Sequence, residues 1–241
     1  MKQVMEQLIR LRNPNFSFDR EVRSGLLLSF FTSFLVQLLR GTKLIVYGKY
    51  AKGIALGRGV RFFYTSNISL GQFVKIGDHA TLNATGKGRL VIGKNSGIGA
   101  FSRVIISTSF NNLGSHIHLG ENVGIGEFAY LGGGGGLEIG DDCIVGQYFS
   151  CHPENHNYDD PQILIREQGV TRKGIVIGKN CWIGSKVTVL DGVTIGDNCV
   201  IAAGAVVNRD MPANSVIAGV PARVIKSRDK ESVVNIQSLA S

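Results

Sequence analysis

Four cysteines are spread through this 241-residue sequence without a CxxC pair or a clustered spacing, which excludes a disulfide framework and a cysteine-rich zinc module. Proline is scarce, at five, and there is one tryptophan. Acidic residues are few, 18 against 26 Lys and Arg, and the formal net charge of +8 favours anionic partners such as phosphates, acidic sugars or an anionic membrane surface. The basic residues are scattered, and no helix-turn-helix, zinc-finger or aromatic ribonucleoprotein motif accompanies them, so nucleic acid is not an expected partner. No three-residue glycine period is present, which excludes collagen despite 32 glycines, and a hydrophobic share of 44% excludes a disordered chain. The glycines are expected instead at corners, where the backbone needs φ > 0.

No apolar run reaches the roughly twenty residues that a bilayer span needs. The longest, Gly25 to Leu39, is flanked by Arg20 and Arg23 on one side and by Arg40 and Lys43 on the other. Two roles fit it: a helix packed on the rest of the protein or on another subunit, or a helix lying in a membrane interface with its flanking cations at the headgroups. Residues 1–23 are polar and mixed in charge, and predict a helix that breaks near Asn13-Pro14. No cleavable leader is expected, because the apolar stretch begins late and no small-residue cleavage site follows it.

What is abundant is a period of six. An aliphatic residue recurs at Ile177, Ile183, Val189, Ile195, Ile201 and Val207, and a second apolar or small side chain falls four places after each of the first five, at Cys181, Val187, Val193, Cys199 and Ala205. Six is neither the helical period nor a plain strand alternation. It means short strands turning corners at regular intervals and stacking into a solenoid. Cys143, Cys181 and Cys199 share one inward place in this pattern, four after Ile139, Ile177 and Ile195, and read as small core residues in a reducing compartment.

The pattern restarts with the signature apolar, any, apolar, then Gly or a polar residue, and the restarts centre on positions 70, 92, 119, 139 and 177. Three hexads make one coil of a three-sided prism, so restarts should come every eighteen residues. They come after 22, 27, 20 and 38, leaving insertions of 4, 9, 2 and 20 residues. The excess falls after the third hexad each time: around Gly86, around Asn111, in the Gly132 to Gly136 run, and between Cys151 and Gly174. All four are therefore expected on one edge of the prism, which in repeat proteins is often the binding face. After Ile177 the coils should be smooth. The chain divides into a helical segment at 1–43, a solenoid at 44–211 whose longest insertion is 152–174, and a cap and tail at 212–241, where two prolines and the loss of the hexad end the repeat.

The loop CHPENHNYDD, the run IREQGVTRKGIVIGKNCWIGSKVTVLDGVTIG and the ending AAGAVVNRDMPANSVIAGVPARVIK resemble the hexapeptide-repeat O-acetyltransferases, and within them the branch that acetylates sugars of bacterial surface polysaccharides. The resemblance covers roughly residues 65–226 as a repeat match and is most specific over 145–226. It implies an all-β solenoid, a left-handed parallel β-helix with an N-terminal helical segment and a short C-terminal cap. It also implies a homotrimer with active sites between neighbouring subunits, and acetyl-CoA as co-substrate lying along the smooth C-terminal coils. The acceptor would be a sugar or oligosaccharide. The expected location is the cytoplasm, with a peripheral contact at the inner face of the cell membrane through residues 25–39.

Acetyl transfer to a hydroxyl needs a base, because an alkyl hydroxyl is a poor nucleophile at neutral pH, and histidine suits that task. The family's catalytic histidine falls seventeen places after the residue matching Ile139, which here is His156, and His152 matches the auxiliary position of the same loop. Asp159 or Asp160 would orient the imidazole. The likeness places the pantetheine chain along Trp182, Gly184 and Ser185, then Ala202, Ala203 and Gly204, with the phosphates at Arg209, Arg223 and Lys226. Trp182 also fits a trimer-interface anchor. Cys151 next to His152 suggests an acyl-enzyme, but strand neighbours point to opposite faces and Cys151 falls on an inward position, so direct transfer is expected. The Gly132 to Gly136 run, with no Lys-Ser/Thr and no helix start, is not a nucleotide loop and reads as a flexible bulge beside the acceptor cleft or a permissive loop. His116 and His118 lie on one face of a strand and read as structural or exposed, and His79 sits in an ordinary hexad turn. Two other classes stay open: a zinc hydro-lyase of the γ-carbonic anhydrase kind, with zinc held between subunits by His152 and His156 joined by His116 or His118, and a non-catalytic solenoid that binds a partner.

Overall fold

The structure, a computed structural model, describes residues 2–10, 16–49 and 53–229. From Ala55 onward the chain winds as a three-faced parallel solenoid. Face A runs from Ala55–Leu56 to Ser215–Gly219, face B from Arg61–Phe63 to Val206–Val207, and face C from Ile68–Leu70 to Thr194–Ile195. Each strand pairs in parallel with the one a coil later: Leu90, Ile117, Leu137 and Ile175 form one continuous column. This is the left-handed parallel β-helix of hexapeptide repeats. The six-residue period exists because each face turns one aliphatic side chain inward from its strand and a second from its corner. Ile177, Ile183, Val189, Ile195, Ile201 and Val207 are all buried, as are Cys181, Val187, Val193, Cys199 and Ala205.

The corner before face A accounts for three of the four cysteines. Ser96, Cys143, Cys181 and Cys199 occupy one inward column, and each offers a small side chain with a donor hydrogen. The Ser96 hydroxyl donates to the Gly120 carbonyl at 2.8 Å, and Cys143 and Cys199 approach the carbonyls of Gly178 and Pro212 at 3.1 and 3.2 Å. Val74 and Val123 fill the same column in other coils, so the place selects a small side chain, and serine or cysteine adds a contact to the carbonyl of the next coil.

Most corner glycines are not there for left-handed backbone, contrary to the expectation from sequence. The positive φ values fall mainly on Asn95, Asn122, Asn180, Asn198 and Asn214 at one corner, and on His79, Phe101, Phe128 and Tyr148 at the next. The glycines precede them with ordinary φ because the coil stacked beyond leaves no room for a Cβ. At Gly120 a Cβ would lie 2.4 Å from Asp141 Oδ1, and at Gly184 it would lie 2.5 Å from the Ala203 nitrogen.

The four insertions all leave between face B and face C, as the arithmetic of the restarts requires. The longest carries an antiparallel pair, Asn155–His156 with Val170–Thr171, and a 3-10 turn at Ile165–Glu167. His152 still belongs to the face B strand Ser150–His152, so that insertion begins one residue later than expected. No insertion interrupts the coils after Ile177.

Both ends differ from the expected boundaries. Helix α1 spans Lys2–Arg10, α2 spans Ser24–Gly41 and α3 spans Lys43–Val46, so Leu44 is helical and the solenoid starts at Ala55. The predicted break at Asn13-Pro14 lies outside the described residues. Because α2 passes Leu39 and α3 adds Leu44, Ile45 and Val46, the segment Ser24–Val46 is 23 residues long and apolar enough to cross a membrane by length and composition, whereas the apolar run read alone falls short. It rests on the first two coils, where Gly41 meets the Ile54 carbonyl and Lys75 Nζ stands 5.5 Å over the Phe34 ring. At the other end the solenoid continues past Met211, since Ser215 and Ile217 fill the inward places of Cys199 and Ile201 and the strand Ser215–Gly219 pairs in parallel with Val200–Ile201. The cap is the antiparallel strand Ala222–Ser227, which covers that edge.

Candidate active site at the loop-bearing edge

Face B turns alternate side chains outward, and its third position faces the insertions. On the strand Ser150–His152, Cys151 points into the core and His152 points out, where its ring stacks on Tyr130 with centroids 5.4 Å apart. His156 stands on the first short strand of the longest insertion, held by pairing with Val170. The two imidazoles line one cavity of about 220 Å³, together with Ser107, Thr108, Tyr130, Gly132, Gly133, Gly134, Glu154 and Arg172. Burial, then the Glu154 carboxylate, pushes the Tyr130 phenol above its ordinary value, so it stays a neutral donor to whatever the cavity holds.

The cavity wall is knitted across insertions. Arg172 Nε donates to Glu154 Oε2 at 2.9 Å, while its Nη1 donates to Asn112 Oδ1 at 2.9 Å and to the Leu113 carbonyl at 3.1 Å. Asp191 accepts the Lys173 and Gly174 amides at 2.9 and 2.8 Å and closes the base of the longest loop. The Gly132 to Gly136 run is no flexible bulge. An added Cβ would lie 2.9 Å from Ile106 Cα at Gly133 and 2.5 Å from the Pro153 carbonyl oxygen at Gly135, so glycine is required at these positions by close approach of the neighbouring backbone.

The two aspartates do not orient a histidine. Asp160 Oδ1 accepts the Gln162 amide at 2.8 Å, and its backbone is tied to Gln168, which folds the loop on itself. Asp159 lines a second, open cavity with Tyr158, Thr171 and His156 itself. Among the described residues neither carboxylate is hydrogen-bonded to His152 or His156. Burial pushes the Cys151 thiol up and Cys151 is fully enclosed, which removes it as a nucleophile. Within one chain, His116 and His118 lie at face C and cluster with Glu138, and among the described residues neither His152 nor His156 joins that group.

The residues expected along a cofactor track stand elsewhere. Trp182 is exposed on face A, and Gly184 and Ser185 turn the corner from face A to face B. Ala202, Ala203 and Gly204 turn the same corner one coil later, directly stacked, with open space beside Gly204 and the Ser185 hydroxyl donating to Gln147 Oε1 at 2.8 Å. Arg223 and Lys226 lie on the exposed capping strand, and Arg209 is exposed just past Val206–Val207. The structure thus brings Gly184, Ser185, Ala202, Ala203 and Gly204 together where face A gives way to face B and the two histidines together on the other edge of face B, and within one chain it does not join them. Arg209, just past face B, lies on the histidine side, and Arg223 and Lys226 lie on the capping strand beside face A. Sequence reasoning does not single out Tyr130, Glu154 or Arg172. Tyr130 was open to discovery, since it occupies the outward place paired with Ser150, but the loop-to-loop contacts of Arg172 span about sixty positions and leave no local signal.

Comparison with known proteins bears on this arrangement. A probable acetyltransferase of Mycobacterium tuberculosis is 32% identical over 178 residues, which is 73% of this chain and 50% of that protein. The galactoside O-acetyltransferase of Escherichia coli K12 is 39% identical over 125 residues, 48% of this chain and 58% of that protein. The chain therefore matches little more than half the length of these relatives. A mutant N-acyltransferase of Bacillus cereus, solved in complex with dTDP and coenzyme A, superposes with a TM-score of 0.52 at 18% identity over 82% of this chain and 95% of that one, a likeness of fold. Residues 174–209, which hold the uninterrupted hexads and the stacked small-residue corners, match the model of the bacterial transferase hexapeptide family.

Proposed function

We propose that this protein transfers an acetyl group from acetyl-CoA to a sugar hydroxyl, with His156 as general base. The observation that carries the reading is the pair His152 and His156 in one polar cavity, with a small-residue corner on the other edge of the same face. The acceptor hydroxyl would lie in the cavity. His156 takes its proton as the oxygen attacks the thioester carbonyl, and returns that proton to the departing thiolate. His152, stacked on Tyr130, positions the acceptor. Acetyl-CoA supplies the activated acyl group when bound. Trp182, Gly184, Ser185, Ala202, Ala203 and Gly204 offer a narrow path with accessible backbone amides, and Arg209, Arg223 and Lys226 offer charge to its phosphates. The name of the Escherichia coli relative supports a sugar acceptor.

The two halves of this site meet only if a second copy supplies one of them, so the working assembly is a homotrimer in which the corner of one chain faces the loop edge of the next. The acceptor is a sugar of a surface polysaccharide or its precursor, handled by a cytoplasmic enzyme held at the inner face of the membrane by α2. Steady-state kinetics with acetyl-CoA and a panel of sugars tests the reading. His156→Ala should lower kcat by about 10²–10⁴ and His152→Ala by less, with the larger effect on KM for the acceptor. Near-normal turnover of His156→Ala beside an inactive His152→Ala would reverse the two roles, and failure of the protein to bind acetyl-CoA in calorimetry would end the reading.

A further inference from the structure

One group of side chains outside the loop-edge cavity has metal-ligand chemistry that the transfer reaction does not use. The ligand atoms of His116, His118 and Glu138 all lie within 4.8 Å of one another on the outer side of face C. The register of the solenoid puts them there. His118 and Glu138 are paired residues on adjacent parallel strands, so they are immediate neighbours in the outward column. His116 points to the same side two residues earlier, and the place beside it in the next coil belongs to Gly136.

That glycine decides the geometry. A Cβ at Gly136 would lie 2.8 Å from His116 Cε1 and 3.2 Å from Nδ1, and its φ of +106° closes the position to other residues as well. The imidazole therefore lies over the Gly136 backbone, which brings Nε2 to 3.3 Å from Glu138 Oε1, while Nδ1 meets the Ser115 hydroxyl at 2.8 Å. A hydroxyl on one ring nitrogen fixes the direction of the other, as the outer partners of ligating histidines do. The rings of His116 and His118 have centroids 4.5 Å apart at a tilt of 46°. Donors on one tetrahedral ion, each at about 2.0–2.1 Å, are separated by roughly 3.3 Å, so the His116–Glu138 spacing already fits and His118 closes by turning its side chain. A histidine–glutamate hydrogen bond alone would not need the second imidazole.

We propose that His116, His118 and Glu138 bind one divalent transition-metal ion, zinc foremost, with a water in the fourth place. Two imidazole nitrogens and one carboxylate oxygen select such an ion over calcium or magnesium. His116 ends the second insertion and Glu138 follows the Gly132 to Gly136 run, so the ion braces the roots of two loops whose other ends wall the cavity. The site is independent of the transfer reaction and shares no residue with the histidine pair of the cavity.

Tag-free full-length protein, stripped with chelator, tests this by calorimetric titration with zinc sulfate and by visible spectra with cobalt. The expected result is one ion per chain, a cobalt d–d band, and a thermal midpoint that rises with zinc. His118→Gln and Glu138→Gln, both at exposed strand positions, should each weaken zinc binding by about tenfold or more and abolish the thermal shift, and Ser115→Ala should weaken it by a smaller factor. His156→Ala should bind zinc as the unaltered protein does. Undiminished binding in both His118→Gln and Glu138→Gln, or no binding at submillimolar zinc, would overturn the assignment.

Discussion

At the scale of single residues, the solenoid is held by contacts between a glycine in one coil and a carboxylate in the next. The Glu121 amide donates to Asp141 Oδ1 at 2.9 Å, and the approach is open only because Gly120 has no side chain. The same pairing recurs at Gly178 with Asp197, whose Oδ1 accepts the Lys179 amide at 2.7 Å. Gly120→Ala should cost about 1–3 kcal/mol by overpacking, read as a lower thermal midpoint. The Glu121 amide, followed by the Lys179 ammonium, holds the Asp141 carboxyl below its ordinary range. A depressed native pKa contributes stability that is present above the unfolded carboxylate value, near pH 4, and is lost as pH falls through the native value. Asp141→Asn should therefore flatten the fall of the thermal midpoint between neutral and acid pH, and an unchanged acid limb would show that this contact contributes nothing. The sequence announces these glycines by their period but not their reason. Spacing alone suggests left-handed corners, whereas the left-handed residues are the asparagines and aromatics that follow, and only the stacked coil reveals why the glycine is needed.

At the scale of elements, two segments carry features that a flat strand ladder cannot. The first is the edge between faces B and C, where Arg172 ties the 153–174 insertion to Asn112 and Leu113 of the second insertion. Arg172→Ala removes charge-assisted hydrogen bonds in a half-buried place, so the loop should lose about 1.5–3 kcal/mol of local stability. Faster proteolytic cleavage within 153–174, with acceptor KM raised and the core thermal midpoint little changed, is the expected outcome. The position of this edge was legible in the spacing of the restarts, because an insertion must leave where a hexad ends. Its internal wiring was not, because it depends on contacts between loops far apart in the chain. The second segment is α2, which leaves Leu26, Phe30, Leu35 and Leu39 more than half exposed, with Arg40 and Lys43 at its end. If α2 holds the protein at an anionic bilayer, the protein should sediment with phosphatidylglycerol vesicles, and Phe30→Glu with Leu35→Glu should release it to the supernatant. Equal recovery of both proteins in the supernatant would assign this face to protein contacts instead.

For the whole molecule, the arrangement of edges is the strongest constraint. His152 and His156 stand where face B gives way to face C, and the stacked corners of Gly184 and Ala203 stand where face A gives way to face B. A prism has both edges at once but cannot bring them together, because a packed core of aliphatic columns lies between them. A reaction needing both must therefore use two chains, and a cyclic assembly supplies one composite site per interface. Complementation tests this directly. His156→Ala lacks the base, and Ala203→Trp fills the exposed corner with a side chain that leaves no room for a pantetheine chain. Each alone should be inactive. When the two are unfolded together in equal amounts and refolded, a site works only where the loop edge comes from an Ala203→Trp chain and the corner from a His156→Ala chain, so activity should return to about a quarter of that of the unaltered protein. The same two proteins mixed without unfolding should stay inactive if the assembly exchanges slowly. No recovery after joint refolding, with both variants folded and assembled, would place the whole site within one chain.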